Sequence, residues 1–186
     1  PVIAEINASL TLDPEDVERK ITPRTRAIMP VHMRGVPCDM AALMEVAKRH
    51  NLLVIEDCAQ ACGGSYHGKP LGSFGDAGCF SLQQHKVITA GDGGVLVTDR
   101  PEVYERAAIR HDSAMQFWNP ENASVAPFPG ENFRMNEMEG ALACVQFGRM
   151  AGILARTRVL RRRIYDGIAD AEGIAISPSP DPEGDL

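Results

Sequence analysis

The stretch Leu52-Leu53-Val54-Ile55-Glu56-Asp57 is an unbroken apolar run closed by two acids. A run without polar alternation suits a strand buried on both faces, which is the pattern of a parallel sheet. Just upstream, Asp39 is placed to cap a helix running to His50, with Leu43, Met44, Val46 and Ala47 on its inner side. Its basic end, Lys48-Arg49-His50, suits the negative pole of a helix. Before that helix, Arg26 to His32 carries the apolar run Ala27-Ile28-Met29 and reads as a second buried strand. Strand, helix and strand at this spacing form a right-handed βαβ unit, so the expected class is α/β with a mostly parallel sheet.

Working outward, Val2 to Ile6 reads as a short strand, and Asp13-Pro14-Glu15-Asp16 opens a helix that Thr22-Pro23 stops. Beyond Asp57, glycines at 63, 64, 68, 72, 75 and 78 punctuate a loop-rich stretch. Cys79-Phe80-Ser81-Leu82 then reads as a strand, and Gly91-Asp92-Gly93-Gly94 turns into a further strand, Val95-Leu96-Val97-Thr98. Pro101 starts a helix to about His111. Residues 112–131, with Met115, Phe117 and Trp118, read as a long loop, and such loops are often functional. From Asn136 a helical pattern runs to about Ala171, with a break expected near Gly152. Its Arg156, Arg158 and Arg161-Arg162-Arg163 read as a solvated helix face.

The chain has 186 residues, 44% hydrophobic and 24% charged, enough for one domain with a buried core. Nineteen Lys and Arg against 25 Asp and Glu give a formal charge of -6, which argues against a general nucleic-acid or anionic-membrane binder. No run of eighteen apolar residues is present. Five cysteines at irregular spacing, with no leader in view, suit reduced thiols in the cytoplasm better than a disulfide framework. A zinc site from Cys58, Cys62 and His67 lacks the paired Cys-x-x-Cys knuckle, and no metal is expected. Both ends read as cuts in something longer, since nothing in Pro178 to Leu186 closes a fold.

In open α/β sheets, ligands bind beyond the carboxyl ends of the strands. Asp57 falls at such an end and Ser81 close to another, with Lys86 between the second strand and the glycine turn. Taken singly, each has an ordinary explanation as a turn acid, a turn hydroxyl or a surface charge. No Gly-x-Gly-x-x-Gly, Walker loop or Gly-x-Ser-x-Gly elbow is present.

The ordered set is more specific than its members. Ile28-Met29-Pro30-Val31-His32, Val54-Ile55-Glu56-Asp57-Cys58-Ala59-Gln60-Ala61, Gly72-Ser73-Phe74-Gly75-Asp76 and Cys79 to Lys86 come in sequence. They are followed by Thr89-Ala90-Gly91-Asp92-Gly93-Gly94 and Gly130-Glu131-Asn132-Phe133-Arg134-Met135-Asn136-Glu137. Together these segments resemble the DegT/DnrJ/StrS sugar aminotransferases among the fold-type-I pyridoxal-phosphate enzymes. The resemblance implies the three-layer, mostly parallel large domain of that class, truncated at both ends. Residues 1–152 would be the later portion of the cofactor domain, and 153–186 a connecting helix and the start of a small domain. The implied cofactor is pyridoxal 5'-phosphate. Asp57 would pair with its ring nitrogen, Gln60 would reach its phenolic oxygen and Ser81 would donate to its phosphate. Lys86 would form the Schiff base and shuttle a proton, a role that needs an unprotonated amine. Asn132 would contact the phosphate of the other subunit of a homodimer, while Arg134 would organise that loop.

The resemblance further implies amino transfer from Glu or Gln to a keto-sugar, nucleotide-linked or a cyclitol, by a cytoplasmic enzyme. Some relatives carry His in place of the lysine and dehydrate their sugar. Here the position five after Ser81 is Lys86, with His85 before it, which favours transamination. A pyridoxal-phosphate sugar dehydratase and a non-catalytic module on the same scaffold are the alternatives. The 186 residues alone are expected to be a poor enzyme.

Overall fold

Leu53–Asp57 forms the central strand β2, and it pairs in parallel with β1 (Ala27–Ile28) on one side and with β5 (Ala77–Ser81) on the other. A computed structural model describes residues 1–112, 124–126 and 128–186. A last strand, β6 (Gly94–Val97), runs antiparallel to β5, giving the order β1-β2-β5-β6. Between β2 and β5 lies a small antiparallel hairpin of β3 (Ser65–Tyr66) and β4 (Lys69–Pro70). The sheet is therefore mostly parallel with one reversed strand.

β1 is shorter than the apolar run Arg26 to His32 suggested, and Pro30 is the cause. The register continues past the end of the strand, from Ala27↔Leu53 and Ile28↔Val54 to Val31↔Asp57. Backbone bonds Leu53 N to Arg26 O, Asp57 N to Pro30 O and His32 N to Asp57 O mark the same ladder. Its alternation next calls on the amide of residue 30, and proline has none. Val2 to Ile6 does not form a strand; Ile6 makes a single bridge to Leu12, and Val2 and Ile3 stay exposed.

The helices follow their caps. In α1 (Pro14–Lys20), Asp13 Oδ1 accepts from the Glu15 amide and proline occupies the first turn. In α2 (Met40–His50), Asp39 accepts from the Ala42 amide, and Asn51 closes the C-terminus in the left-handed conformation. Arg49 and His50 both reach Glu18 and so tie α2 to α1. Met40, Leu43, Val46 and Ala47 of α2 share one core with Ile28, Val54 and Cys58. After α3 (Pro101–His111) comes α4, which spans Glu137–Ile168. A capping box starts it: Asn136 Oδ1 accepts from the Glu139 amide, and Glu139 accepts from the Asn136 amide.

The expected break near Gly152 is absent, and α4 is continuous. A mid-helix glycine costs only about 1 kcal/mol, and docking on both sides of it offsets that. Leu154 is buried against Gly63, and Met150 packs beside it. Two arginines one and two turns further along correct the solvated-face expectation. Arg158 Nε donates to the Asp185 carbonyl, and Arg161 pairs with the Asp185 carboxylate, while Arg156, Arg162 and Arg163 stay exposed. The final residues are packed rather than loose. Asp185 and Leu186 are buried, Leu186 N donates to Gly35 O, and Ser65 N donates to Gly184 O. Among the described residues no helix is long and apolar enough to cross a membrane.

Leu154 is the buried residue through which α4 meets the core. Leu154→Ala should lower unfolding free energy by about 2–4 kcal/mol. Denaturant unfolding followed by helical circular dichroism would check this; an unchanged midpoint would show that α4 does not depend on the contact.

Candidate active site

Side chains alternate along a strand, so neighbouring residues Glu56 and Asp57 lie on opposite faces of the sheet. Glu56 shares its face with Val54, which belongs to the α2-covered core. Asp57 shares its face with Ile55 and, across the register pair Asp57↔Cys79, with Cys79 and Ser81.

Glu56 is fully buried, at 0% exposure, and both carboxylate oxygens accept twice. Oε2 takes the Gly72 amide at 2.7 Å and His32 Nε2 at 3.1 Å. Oε1 takes the Phe74 amide at 2.7 Å and the Gly75 amide at 2.8 Å. Burial alone would push this carboxyl up, but His32 and the amides of Gly75, Gly72 and Phe74 outweigh it and hold the group below the usual range. The loop can present those amides only because two of its residues lack side chains. Gly72 has φ +85° and a Cβ there would meet the Phe80 ring at 2.6 Å; a Cβ on Gly75 would lie 2.4 Å from Val54 O. His32 Nδ1 accepts from the Cys38 amide at 3.1 Å, which leaves the ring proton on Nε2, facing Glu56.

On the other face, Asp57, Cys79 and Ser81 line a cavity of about 240 Å³ with Met29 and Ala59. Asp57 Oδ1 accepts from the Ala59 amide at 3.0 Å. Among the described residues its second oxygen has no hydrogen-bond partner, and the residue lines the cavity. Ser81 Oγ accepts from the Gln83 amide at 3.3 Å, which leaves its O–H to donate. A carboxylate and a hydroxyl thus converge beyond the carboxyl ends of two adjacent parallel strands, where α/β sheets bind ligands.

The other expected site residues stand outside that wall. Gln60 is exposed and its Oε1 accepts from the Arg34 amide at 3.0 Å. Lys86 lies in the turn after β5, half-buried, with its amide donating to Gln83 O; its ammonium has no ion pair or hydrogen bond among the described residues. Asn132 is exposed and its Oδ1 accepts from both the amide and the Nε of Arg134. Residues 113–123 of the 112–131 loop, with Met115, Phe117 and Trp118, lie outside the described residues.

The zinc arrangement of Cys58, Cys62 and His67 does not assemble. The one metal-like grouping among the described residues is His32, Glu56 and Cys58, all buried. Its donors are committed: both His32 nitrogens and both Glu56 oxygens are hydrogen-bonded. Burial, together with the charge of Glu56, pushes the Cys58 thiol well up, away from the thiolate that binds metals.

These features, a mostly parallel sheet with one reversed strand and an acid–hydroxyl pair beside a cavity at its carboxyl edge, define an α/β scaffold with a candidate ligand site. A family model described as the DegT/DnrJ/EryC1/StrS aminotransferase family matches residues 1–184, and the chain belongs to that family of fold-type-I pyridoxal-phosphate proteins. It is 41% identical over 153 residues to a GDP-perosamine synthase of Caulobacter vibrioides, covering 82% of this chain and 40% of the relative. It is 36% identical over 179 residues to a putative L-glutamine:3-amino-2,3-dideoxy-scyllo-inosose aminotransferase of Micromonospora echinospora, covering 93% and 41%. The X-ray structure of an aminotransferase from Psychrobacter cryohalolentis superposes with a TM-score of 0.87 at 33% identity, over 96% of this chain and 48% of that one. The chain spans about two fifths of the curated relatives it matches.

Because Glu56 is held below its ordinary value when folded, its contribution is complete above that ordinary value and is lost as pH falls through the folded one. Unfolding free energy should therefore decline as pH is lowered below the ordinary glutamate value of about 4.3. Glu56→Gln should flatten that decline, as read from denaturant midpoints across the range.

Proposed function

We propose that the full-length protein is a pyridoxal-phosphate aminotransferase that moves an amino group from Glu or Gln to a keto-sugar, either a nucleotide-linked sugar or a cyclitol. The observation that carries this is the cavity shared by Asp57 and Ser81, with Lys86 five residues beyond the hydroxyl. A carboxylate oxygen to accept and an O–H to donate are what a protonated pyridine and a phosphate respectively require. The substrate class follows from the names of the relatives, one a GDP-sugar enzyme and another a cyclitol aminotransferase.

When bound, pyridoxal 5'-phosphate supplies an aldehyde that receives the amino group and a ring that withdraws electrons. Asp57 would accept the ring N–H through its second oxygen and keep that ring protonated. Ser81 would donate its O–H to the phosphate. Gln60 would turn from the Arg34 amide to the phenolic oxygen. Lys86 would hold the cofactor at rest by condensing its amine with the aldehyde, with loss of water, and, once displaced by the donor amine, would carry a proton between the substrate and cofactor carbons. Asn132 would reach the phosphate held by the partner subunit, making the protein a homodimer. Residues 1–152 would belong to the cofactor domain and 153–186 to the beginning of a smaller one, with the continuous helix α4 crossing between them. Its compartment would be the cytoplasm, in keeping with five free thiols.

Borohydride reduction of the full-length protein with the cofactor should leave a pyridoxyl adduct at Lys86 on mass spectrometry. Lys86→Ala should abolish both the adduct and turnover, and turnover at the wild-type rate in that variant would overturn the proposal. The products of a keto-sugar and glutamate should be an amino sugar and a keto acid; a deoxygenated sugar instead would point to dehydration.

A further inference from the structure

We propose that Glu56, acting with His32, is a positioning residue for the carboxylate of Asp57, an inference that rests on the proposed pairing of Asp57 with the cofactor ring. Glu56 borders the cavity through its place in β2, but its side chain is completely buried and is spent on the loop amides and His32 on the other face of the sheet. Its effect reaches Asp57 along two routes. His32, whose ring donates to Glu56, gives its backbone amide to Asp57 O at 3.0 Å, while Asp57 N donates to Pro30 O at 2.8 Å. The main chain of Asp57 is thus held on both sides by residues 30 and 32, and Glu56 fixes residue 32.

The second route runs through the loop. Glu56 gathers the amides of Gly72, Phe74 and Gly75, and the next residue, Asp76, bonds back to Val54 through both its amide and its side chain. This sets the start of β5 against β2, hence the register that brings Cys79 and Ser81 alongside Asp57. The Pro30 gap makes the first route necessary. With one ladder bond missing on the β1 side, the terminus of β2 relies on the pair of bonds at Asp57, and a free carboxylate oxygen can be aimed only if its backbone is fixed.

The test uses the full-length protein and two probes: pyridoxal 5'-phosphate, and its analogue with the ring nitrogen replaced by CH. Glu56→Gln keeps the shape but turns one acceptor into a donor, setting it against two of the four groups that now donate to it. Affinity for pyridoxal 5'-phosphate should fall roughly tenfold, the order seen when the outer support of a ligand-binding group is lost. Affinity for the analogue, which offers Asp57 no N–H, should change less than about twofold, because the loss acts through the Asp57 contact. Equal losses for both probes would show a purely structural role and overturn the inference, as would no loss for either. Should Glu56→Gln fail to fold, His32→Asn takes its place. Its amide ends near the position of the ring Nδ1, so it can still accept from the Cys38 amide but no longer donates to Glu56, and the same contrast between probes is expected. If the wild-type protein forms no adduct at Lys86, the proposed function itself fails. If it does, and the probes respond equally to the variants, only the positioning role fails.

Discussion

One buried carboxylate organises this chain. Taking a charge out of water is prohibitive unless donors replace the lost hydration. Glu56 has four such donors, three of them backbone amides from one tight loop. Satisfying it dictates the local sequence on every side. Residues 72 and 75 must be small enough for the loop to wrap against Val54 and Phe80. His32 must carry its proton on Nε2, and the Cys38 amide must occupy the other nitrogen. The strand, the loop and the segment before α2 thereby become one unit.

The parts of this arrangement that were legible in the sequence are those set by short-range physics. Asp13-Pro14 and Asp39 announced α1 and α2, and the apolar run ending at Asp57 announced β2. What misled was a partner distant along the chain. Val2 to Ile6 looks like a strand, yet among the described residues it makes a single bridge, from Ile6 to Leu12. Arg158 and Arg161 look like solvent charges because Asp185, which receives them, lies 27 and 24 residues away. β1 shortens because Pro30 falls on a donor position, which depends on a register that no single segment reveals. Glu56 could have been suspected from parity, being an acid two residues from Val54 on the inward face. Its partners, however, are backbone amides, which leave no mark in side-chain chemistry.

The site itself came from a different kind of legibility. Composition and periodicity place Asp57 and Ser81 at strand ends but say nothing of chemistry, and only the ordered resemblance gives them roles. The structure adds adjacency, two residues on neighbouring strands facing the same cavity. It also shows how thin the separation is between support and chemistry. Glu56 and Asp57 are consecutive, one facing the core and one facing the cavity, and a slip of one residue in the strand would exchange them.

The docking of the last residues bears on the order in which the molecule assembles. Leu186 bonds to Gly35 and Gly184 to Ser65, so these contacts close loops of more than a hundred residues. Closing such loops is entropically costly before other contacts have shortened the path, which favours local βα contacts first. The 184–186 segment can seat only on a surface that β3 and the residues around Gly35 have already built, with α4 delivering Arg158 and Arg161 to Asp185. Its burial is therefore expected late in folding, when the two distant parts of the chain have come to rest together.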